Sequence, residues 1–162
     1  SDAFVFVVLQ KVSDIPVGLL PLLPLGTAAM FLLAAAPIGR LADRAGRWKM
    51  FFIGHVLLLV TYATLLVPNG GFVAVAIALT AHGLFYACTD GILMAYAGGF
   101  VPAELRATGL ATIQTGQALA RMTSSIVFGL MLAGMAMATA VGALVAVLVV
   151  ALVVVAFMVR SS

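Results

Sequence analysis

Charged residues are scarce in this sequence. Asp, Glu, Lys and Arg make up 8% of the 162 residues, whereas hydrophobic residues make up 65% and the mean hydropathy is +1.28. A soluble domain carries about 25% charged residues. This composition excludes an ordinary soluble domain and predicts an all-α, polytopic membrane protein that is integral to the lipid bilayer.

Cysteine is also nearly absent. The single Cys88 lies in an apolar run, which excludes a disulfide framework and a cysteine metal cluster. The sequence shows neither a nucleophile–base pair nor metal-ligand spacing, so we expect no enzyme, no metal and no cofactor. A net charge of +3 carried by so few charges does not indicate nucleic acid as a partner. The chain opens without Met and without the basic segment of a secretory signal, so we expect its true N-terminus to lie upstream.

Long apolar runs are what the sequence has in place of charges. A membrane-spanning helix needs about 20 residues. Such runs predict one partial and five complete transmembrane helices over residues 1–10, 17–38, 50–67, 72–100, 107–132 and 138–159. The break between the last two has no charged marker and is placed near 133–138. The run from Val141 to Val159 has no polar side chain and is predicted to be a lipid-facing peripheral helix without a substrate role.

The distribution of cations predicts the orientation. Counted over alternate connectors, one side of the membrane holds only Lys11, and the other holds Arg40, Arg44, Arg47, Lys49, Arg106 and Arg160. The positive-inside rule therefore places the connectors at 39–49 and 101–106, together with the C-terminus, in the cytoplasm.

Two of these connectors resemble sequence motifs of the major facilitator superfamily. The stretch from Gly39 to Lys49 fits the signature loop G-x-x-x-D-R-x-G-R-x-K/R, and it lies between two predicted spans on the positive side. Its specified positions are Gly39, Asp43, Arg44, Gly46, Arg47 and Lys49. The segment 101–109, with Glu104 and Arg106, is similar to a loop that precedes a late helix of that family. Thr89-Asp90-Gly91 and Ser1-Asp2-Ala3-Phe4 also resemble segments of bacterial members.

The resemblance implies a fold and a function. Family members have about twelve helices in two six-helix halves. Because the chain ends after the sixth predicted span, residues 1–162 resemble the C-terminal half with its first helix truncated. We expect a secondary active transporter that moves a small solute by alternating access, coupled to H+, in a bacterial plasma (inner) membrane, with the missing N-terminal half as its partner. The alternative is a non-transporting structural or assembly bundle.

The resemblance also implies a role for the signature loop as a cytoplasmic gate latch. Gly39 would allow close helix approach and Gly46 a tight turn. Asp43 would face a helix N-terminus in the other half, while Arg44 or Arg47 pairs with a neighbouring carboxylate, for which Glu104 is the nearest candidate. The alternative is a set of solvated charges that only fixes the topology.

Three charges lie inside predicted spans. The free energy of inserting one charged side chain at the centre of a membrane helix is at least about 2.5–3.5 kcal/mol, and this applies to each of Asp2, Asp90 and Arg121. At the rise of an α-helix they lie roughly 15–21 Å from the ends of their spans, which is near mid-depth. Two carboxylates against one guanidinium leave one acid without a strong partner, and we expect that acid to bind protons or substrate. The alternative is an Asp–Arg pair that only locks two helices together.

Polar residues recur at helical spacing around these charges. Polar groups cannot face lipid cheaply, so each stripe is predicted to face the bundle interior, where it lines an aqueous pathway or forms a dry interface. His82 by itself is expected to be a hydrogen-bonded interior histidine. The two stripes are His82, Tyr86 and Asp90 on one helix, and Gln114, Gln117, Arg121 and Ser124 or Ser125 on the next.

Overall fold

The computed structural model describes residues 2–160, and it describes side chains for residues 2–157. Helix accounts for 88% of the chain and the described part contains no strand, so the all-α prediction is confirmed. Ser1, part of the N-terminal resemblance, and the side chain of Arg160 lie outside these described parts. The described helices are α1 (Asp2–Val12), α2 (Leu22–Ala45), α3 (Arg47–Thr64), α4 (Gly71–Gly98), α5 (Arg106–Gly134) and α6 (Met137–Arg160).

Three stretches of the described chain are helical, long and apolar enough to span a membrane: Val17–Ala45, Gly71–Gly98 and Met137–Phe157. These helices give the chain the character of a membrane protein. The other two predicted full spans correspond to α3 and α5. The first turn of α3 contains Arg47 and Lys49, and α5 carries Arg106, Arg121 and the polar stripe. That these two helices also span the bilayer stays a prediction.

Prolines and glycines mark the helix ends. Pro21 precedes α2, and Pro102 precedes the short 3-10 turn Ala103–Leu105 that leads into α5. A proline at a helix start loses no hydrogen bond, because the first N–H groups have no partner within the helix. Pro37, by contrast, lies inside α2. The break predicted near 133–138 falls at Met135 and Ala136, between α5 and α6.

The prediction of a loop over residues 39–49 is wrong. Helix α2 runs through Gly39 to Ala45, and α3 begins at Arg47, so Gly46 alone separates the two helices. The segment 40–45 consists mainly of Arg, Leu and Ala, which favour helix, so the charges did not signal a loop. Gly46 has φ +102°, a conformation that glycine adopts without a steric penalty.

Helix α4 is the central helix of the bundle, with α2 and α3 packed against it. Small residues allow the close approach. A Cβ at Gly83 of α4 would lie 2.7 Å from the carbonyl oxygen of Thr27 in α2. A Cβ at Gly54 of α3 would lie 2.8 Å from the Cβ of Cys88 in α4.

The larger hydrophobic core lies at the end of the bundle away from the basic stretch. It joins buried side chains from α1, α2, α4, α5 and α6 with Leu65, which follows α3, and Tyr62 of α3 packs against it. The buried residues are Val5, Phe6, Val8, Leu9, Leu23, Leu65, Val75, Ala78, Phe128, Ala140 and Val141. A smaller core beside the basic stretch contains Ala42, Met50, Cys88 and Ile92, from α2, α3 and α4 only. The bundle is therefore held together by all its described helices at one end and by three at the other.

Candidate functional site

A cavity of about 440 Å³ lies between α1, α3, α4 and α5. All three charges predicted to lie inside the membrane, Asp2, Asp90 and Arg121, line it. The remaining polar lining consists of His55, Tyr62, His82, Tyr86, Thr89, Gln117 and Ser124. Polar groups from four separate helices therefore converge on one space.

Asp90 and Arg121 form an ion pair between α4 and α5. Nη2 of Arg121 donates to both carboxylate oxygens of Asp90, at 2.9 and 3.2 Å. The pair faces the cavity, with 36% of the Asp90 side chain and 47% of the Arg121 side chain exposed. Each of these two charges is therefore balanced by the other.

Asp2 is the second carboxylate of the cavity, and the ion pair between Asp90 and Arg121 leaves it without a guanidinium partner. It pairs with no Lys or Arg side chain of the described residues. The Tyr86 hydroxyl donates to Oδ2 of Asp2, and Nε2 of His82 lies 3.6 Å from Oδ1. That second distance is too long for a hydrogen bond. Asp2 therefore has a hydroxyl donor but no cationic hydrogen-bond partner.

Tyr86 connects the two carboxylates. The guanidinium carbon of Arg121 lies 5.6 Å from the centre of the Tyr86 ring, within the range of a cation–π contact. Tyr86 thus contacts Asp2 through its hydroxyl and Arg121 through its ring face. Asp2, Tyr86, Arg121 and Asp90, from α1, α4 and α5, therefore form one contiguous group of polar contacts.

His82 is not the hydrogen-bonded histidine that the sequence predicts. Its side chain is 2% exposed, yet neither ring nitrogen has a hydrogen-bond partner within the described chain. The rings of Phe6, Phe85 and Tyr86 surround it, with centroids 5.2–6.0 Å away. Burying a polar group without a partner costs about 1–3 kcal/mol. This cost makes His82 a candidate for function, because packing alone would favour an apolar residue.

The polar stripe on α5 reaches the cavity only in part. Gln117, Arg121 and Ser124 line it, whereas Gln114 is exposed and lies outside the lining. Gln114 lies on the same face of α5 as Arg121, but about 10 Å closer to the N-terminal end of the helix, where the cavity has ended. Of the two serines left open by the sequence, Ser125 donates to the carbonyl of Arg121 in its own helix, so Ser124 is the one that faces the cavity.

Sequence reasoning missed the contribution of α3. Phe51, His55 and Tyr62 all line the cavity. Nδ1 of His55 lies 2.9 Å from the carbonyl oxygen of Phe51, and its ring packs edge-on against Phe85. The signal was present, because residues at i, i+4 and i+11 share one face of a helix. The residues around them are apolar, so the hydropathy of segment 50–67 is that of an ordinary membrane span and does not distinguish the side that lines the cavity.

The signature stretch forms a small contact network around Gly46. Arg47 pairs with Asp43 across the helix break at 3.2 Å, and its Nη1 donates to the carbonyl oxygen of Ala95 in α4 at 3.3 Å. The network therefore joins the end of α2, the start of α3 and the last turns of α4. Both side chains of the ion pair are exposed.

One expectation for this network, the pairing of Glu104, is wrong within the described chain. Glu104 forms no ion pair with any described residue, because Arg47 pairs with the nearer carboxylate of Asp43; Arg44 and Arg106 also lie outside the described ion pairs. Gly39 does not mediate a close helix approach, since a Cβ there would meet no described atom within 4 Å. Lys49 also lies outside the described ion pairs.

The fold and the cavity together define an all-helical protein with three stretches long and apolar enough to span a membrane and with a polar interior site. Comparison with protein-family models, curated proteins and solved structures finds no match. Within the described residues, no group of three or more His, Cys, Asp or Glu side chains is placed to hold a metal ion. The side chains that line the site can bind protons, form ion pairs and contact ligands through aromatic rings.

Proposed function

We propose that this chain is the C-terminal half of a secondary active transporter of the major facilitator type, which moves a small solute by alternating access in exchange or together with H+. The observation that carries the proposal is the convergence of Asp2, Asp90 and Arg121 on one cavity. Charges inside membrane helices are costly and mark substrate or ion pathways by default.

The arrangement of helices supports this proposal. In the resembled fold, the first and fourth helices of each half line the transport cavity. Here α1 and α4 supply Asp2 and Asp90 to the cavity lining. The substrate site of such transporters lies between two halves, so the N-terminal half is the expected partner.

The charge balance favours Asp2 as the proton-binding group. Asp90 is held by Arg121, so protonating Asp90 would leave a guanidinium without its counter-charge. Asp2 has only the Tyr86 hydroxyl as a hydrogen-bond donor, so it can take up a proton without breaking an ion pair. Asp2 is therefore the first candidate for coupling.

The network around Gly46 fits the role of a gate latch. Asp43 and Arg47 tie α2, α3 and α4 together through exposed contacts, which can form and break with little cost. We place this latch on the cytoplasmic side of a bacterial plasma membrane, from the cation distribution. A second contact of Asp43, with a helix N-terminus of the other half, belongs to the same proposal.

A structural bundle is the second candidate function. The Asp90–Arg121 pair and the Tyr86–Asp2 hydrogen bond show that the polar groups satisfy one another in part, as they would in a bundle held by ionic contacts. Two observations do not fit this alternative: the ring nitrogens of His82 are buried without hydrogen-bond partners, and a cavity is present. Neither feature stabilises an interface whose role is only structural.

Proton movement in proteoliposomes separates the two candidates. The full-length protein, with the N-terminal half that the proposal requires, is reconstituted into vesicles loaded with a pH-sensitive dye, and these vesicles are offered a panel of amines, sugars, peptides and organic acids. We expect at least one class to drive a pH change that Asp2→Asn abolishes. Asp14→Asn is the matched control, because Asp14 lies in the connector after α1 and outside this cavity lining. Absence of any solute-driven pH change, or an unchanged response in Asp2→Asn, would refute coupled transport through Asp2.

A further inference from the structure

We infer that the cavity accepts organic cations that carry aromatic or other apolar groups. The inference rests on the proposed function and names its substrate class. Charge, wall chemistry and size of the cavity each point to this class.

The described lining carries an excess of negative charge. Asp90 and Arg121 cancel each other, and no Lys or Arg of the described residues pairs with Asp2, whose neighbours are the Tyr86 hydroxyl and the His82 imidazole, with Nε2 at 3.6 Å. The Asp2 side chain is 44% exposed, so a ligand can reach it, and a carboxylate in a partly exposed protein site attracts a cation several times more strongly than one in bulk water does. A cationic ligand that lies against Asp2 therefore supplies the counter-charge that the described residues do not.

Aromatic side chains form part of the cavity wall. Phe51, Tyr62, Phe85 and Tyr86 line the cavity from α3 and α4. Aromatic ring faces attract ligand cations, and recognition of quaternary ammonium groups by aromatic walls is a recurrent use of this contact. These rings also supply apolar surface for the uncharged part of the ligand. A volume of about 440 Å³ falls within the range of small-molecule sites.

Other ligand classes fit the cavity less well. The lining contains a single guanidinium, that of Arg121, and its Nη2 is occupied by Asp90, so an organic anion would have to compete with a carboxylate already in place. A sugar would find hydrogen-bond partners in this lining, but its hydroxyl groups carry no charge that could balance Asp2. An anion is therefore the competing outcome of the test, and a cation the expected one.

Equilibrium binding to the purified full-length protein, with both halves present, in lipid nanodiscs tests the inference. The probe is radiolabelled tetraphenylphosphonium, and the competitor is tetraphenylborate, an anion of nearly the same size and shape. Empty nanodiscs give the background from lipid partitioning. We expect saturable binding of the cation, weakened about tenfold or more in Asp2→Asn, since the loss of one close charge contact in a partly exposed site exceeds 1.4 kcal/mol.

Two further variants keep this result interpretable. Asp2→Glu, which preserves the charge, is expected to retain most of the affinity, so that a general folding defect is separated from loss of charge. Asp14→Asn is expected to bind like the unmodified protein. Lack of saturable binding, equal affinity in Asp2→Asn, or displacement by tetraphenylborate as effective as by the unlabelled cation would overturn the assignment.

The same experiment distinguishes this inference from the proposed function, because binding does not require transport. If another solute class drives proton movement while tetraphenylphosphonium fails to bind, the substrate class is wrong and transport stands. If tetraphenylphosphonium binds through Asp2 while it and the whole solute panel leave the vesicle pH unchanged, the cation site stands and coupled transport is refuted.

Discussion

Gly46 shows how one residue organises its surroundings. It is the single residue between α2 and α3, and its φ of +102° lies where side chains with a Cβ are strained. The Asp43–Arg47 ion pair spans this break, so its geometry depends on the conformation of Gly46. The second motif glycine, Gly39, is an ordinary helical residue in the described chain.

This difference predicts opposite effects for two substitutions in the same motif. Gly46→Ala is expected to lower the stability of the protein by about 1–3 kcal/mol, because alanine must adopt a rarely populated conformation. Gly39→Ala is expected to be neutral or to stabilise by up to about 1 kcal/mol, because alanine favours helix and meets no atom. Thermal unfolding in detergent, followed through Trp48, measures both. Equal loss in the two variants would show that Gly46 is not the strained position.

At the level of helices, α4 determines how the bundle packs. Gly83 brings α2 into direct backbone contact, since a Cβ at this position would lie 2.7 Å from the carbonyl oxygen of Thr27 and 2.6 Å from the Cβ of Met30. Backbone atoms cannot move aside as the end of a flexible side chain can. The face of α4 around Gly91 is open, because a Cβ there would meet no described atom within 4 Å.

Alanine substitution on these two faces of α4 tests the packing. Gly83→Ala must push α2 away and is expected to destabilise by about 1–3 kcal/mol. Gly91→Ala is the matched control in the same helix and is expected to have no effect or a slightly stabilising one. The ratio of folded to aggregated protein after graded heating gives both values. A Gly83→Ala variant as stable as Gly91→Ala would show that α2 and α4 are not in close contact.

Helix content and the approximate limits of each helix could be predicted from the sequence, because apolar runs and turn residues are local signals. The basic stretch shows where local signals fail. Its charges indicated a loop, but the helix propensity of residues 40–45 and the single permissive Gly46 gave two helices with almost no connector. Charge at a membrane boundary is compatible with helix, so charge alone does not mark a break.

The candidate site was predictable to the extent that its residues carry charge. Asp2, Asp90 and Arg121 could be found because charges inside apolar runs are conspicuous. Which carboxylate would pair with Arg121 could not be found, since that depends on how α4 and α5 are positioned. His55 and Tyr62 were missed because aromatic and histidine side chains stand out less from an apolar span. Gln114 is exposed because the cavity ends before it, and the spacing of residues along a helix does not reveal where a cavity ends.

For the molecule as a whole, the asymmetry of packing is the feature that bears on alternating access. The larger core joins all described helices at the end away from Gly46, while the core near Gly46 joins only α2, α3 and α4. The cavity lies among α1, α3, α4 and α5. Contacts near Gly46 are exposed and ionic, so this end is expected to open and close more readily.

Sided labelling of a cavity cysteine tests alternating access without knowledge of the substrate. Cys88 is the chain's only cysteine, so Cys88→Ala gives a background in which Ser124→Cys reports on the cavity alone. Val150→Cys is the control, because Val150 is 62% exposed on α6, which is expected to face lipid. A membrane-impermeant maleimide is applied to vesicles of each orientation.

We expect Ser124→Cys to be labelled from both sides of the membrane and Val150→Cys from neither. We also expect that Asp43→Asn, by breaking the contact with Arg47, increases labelling of Ser124→Cys from the side of Gly46 and decreases it from the other side. Labelling of Ser124→Cys from neither side, or from one side only whatever the state of Asp43, would contradict alternating access and favour a static bundle.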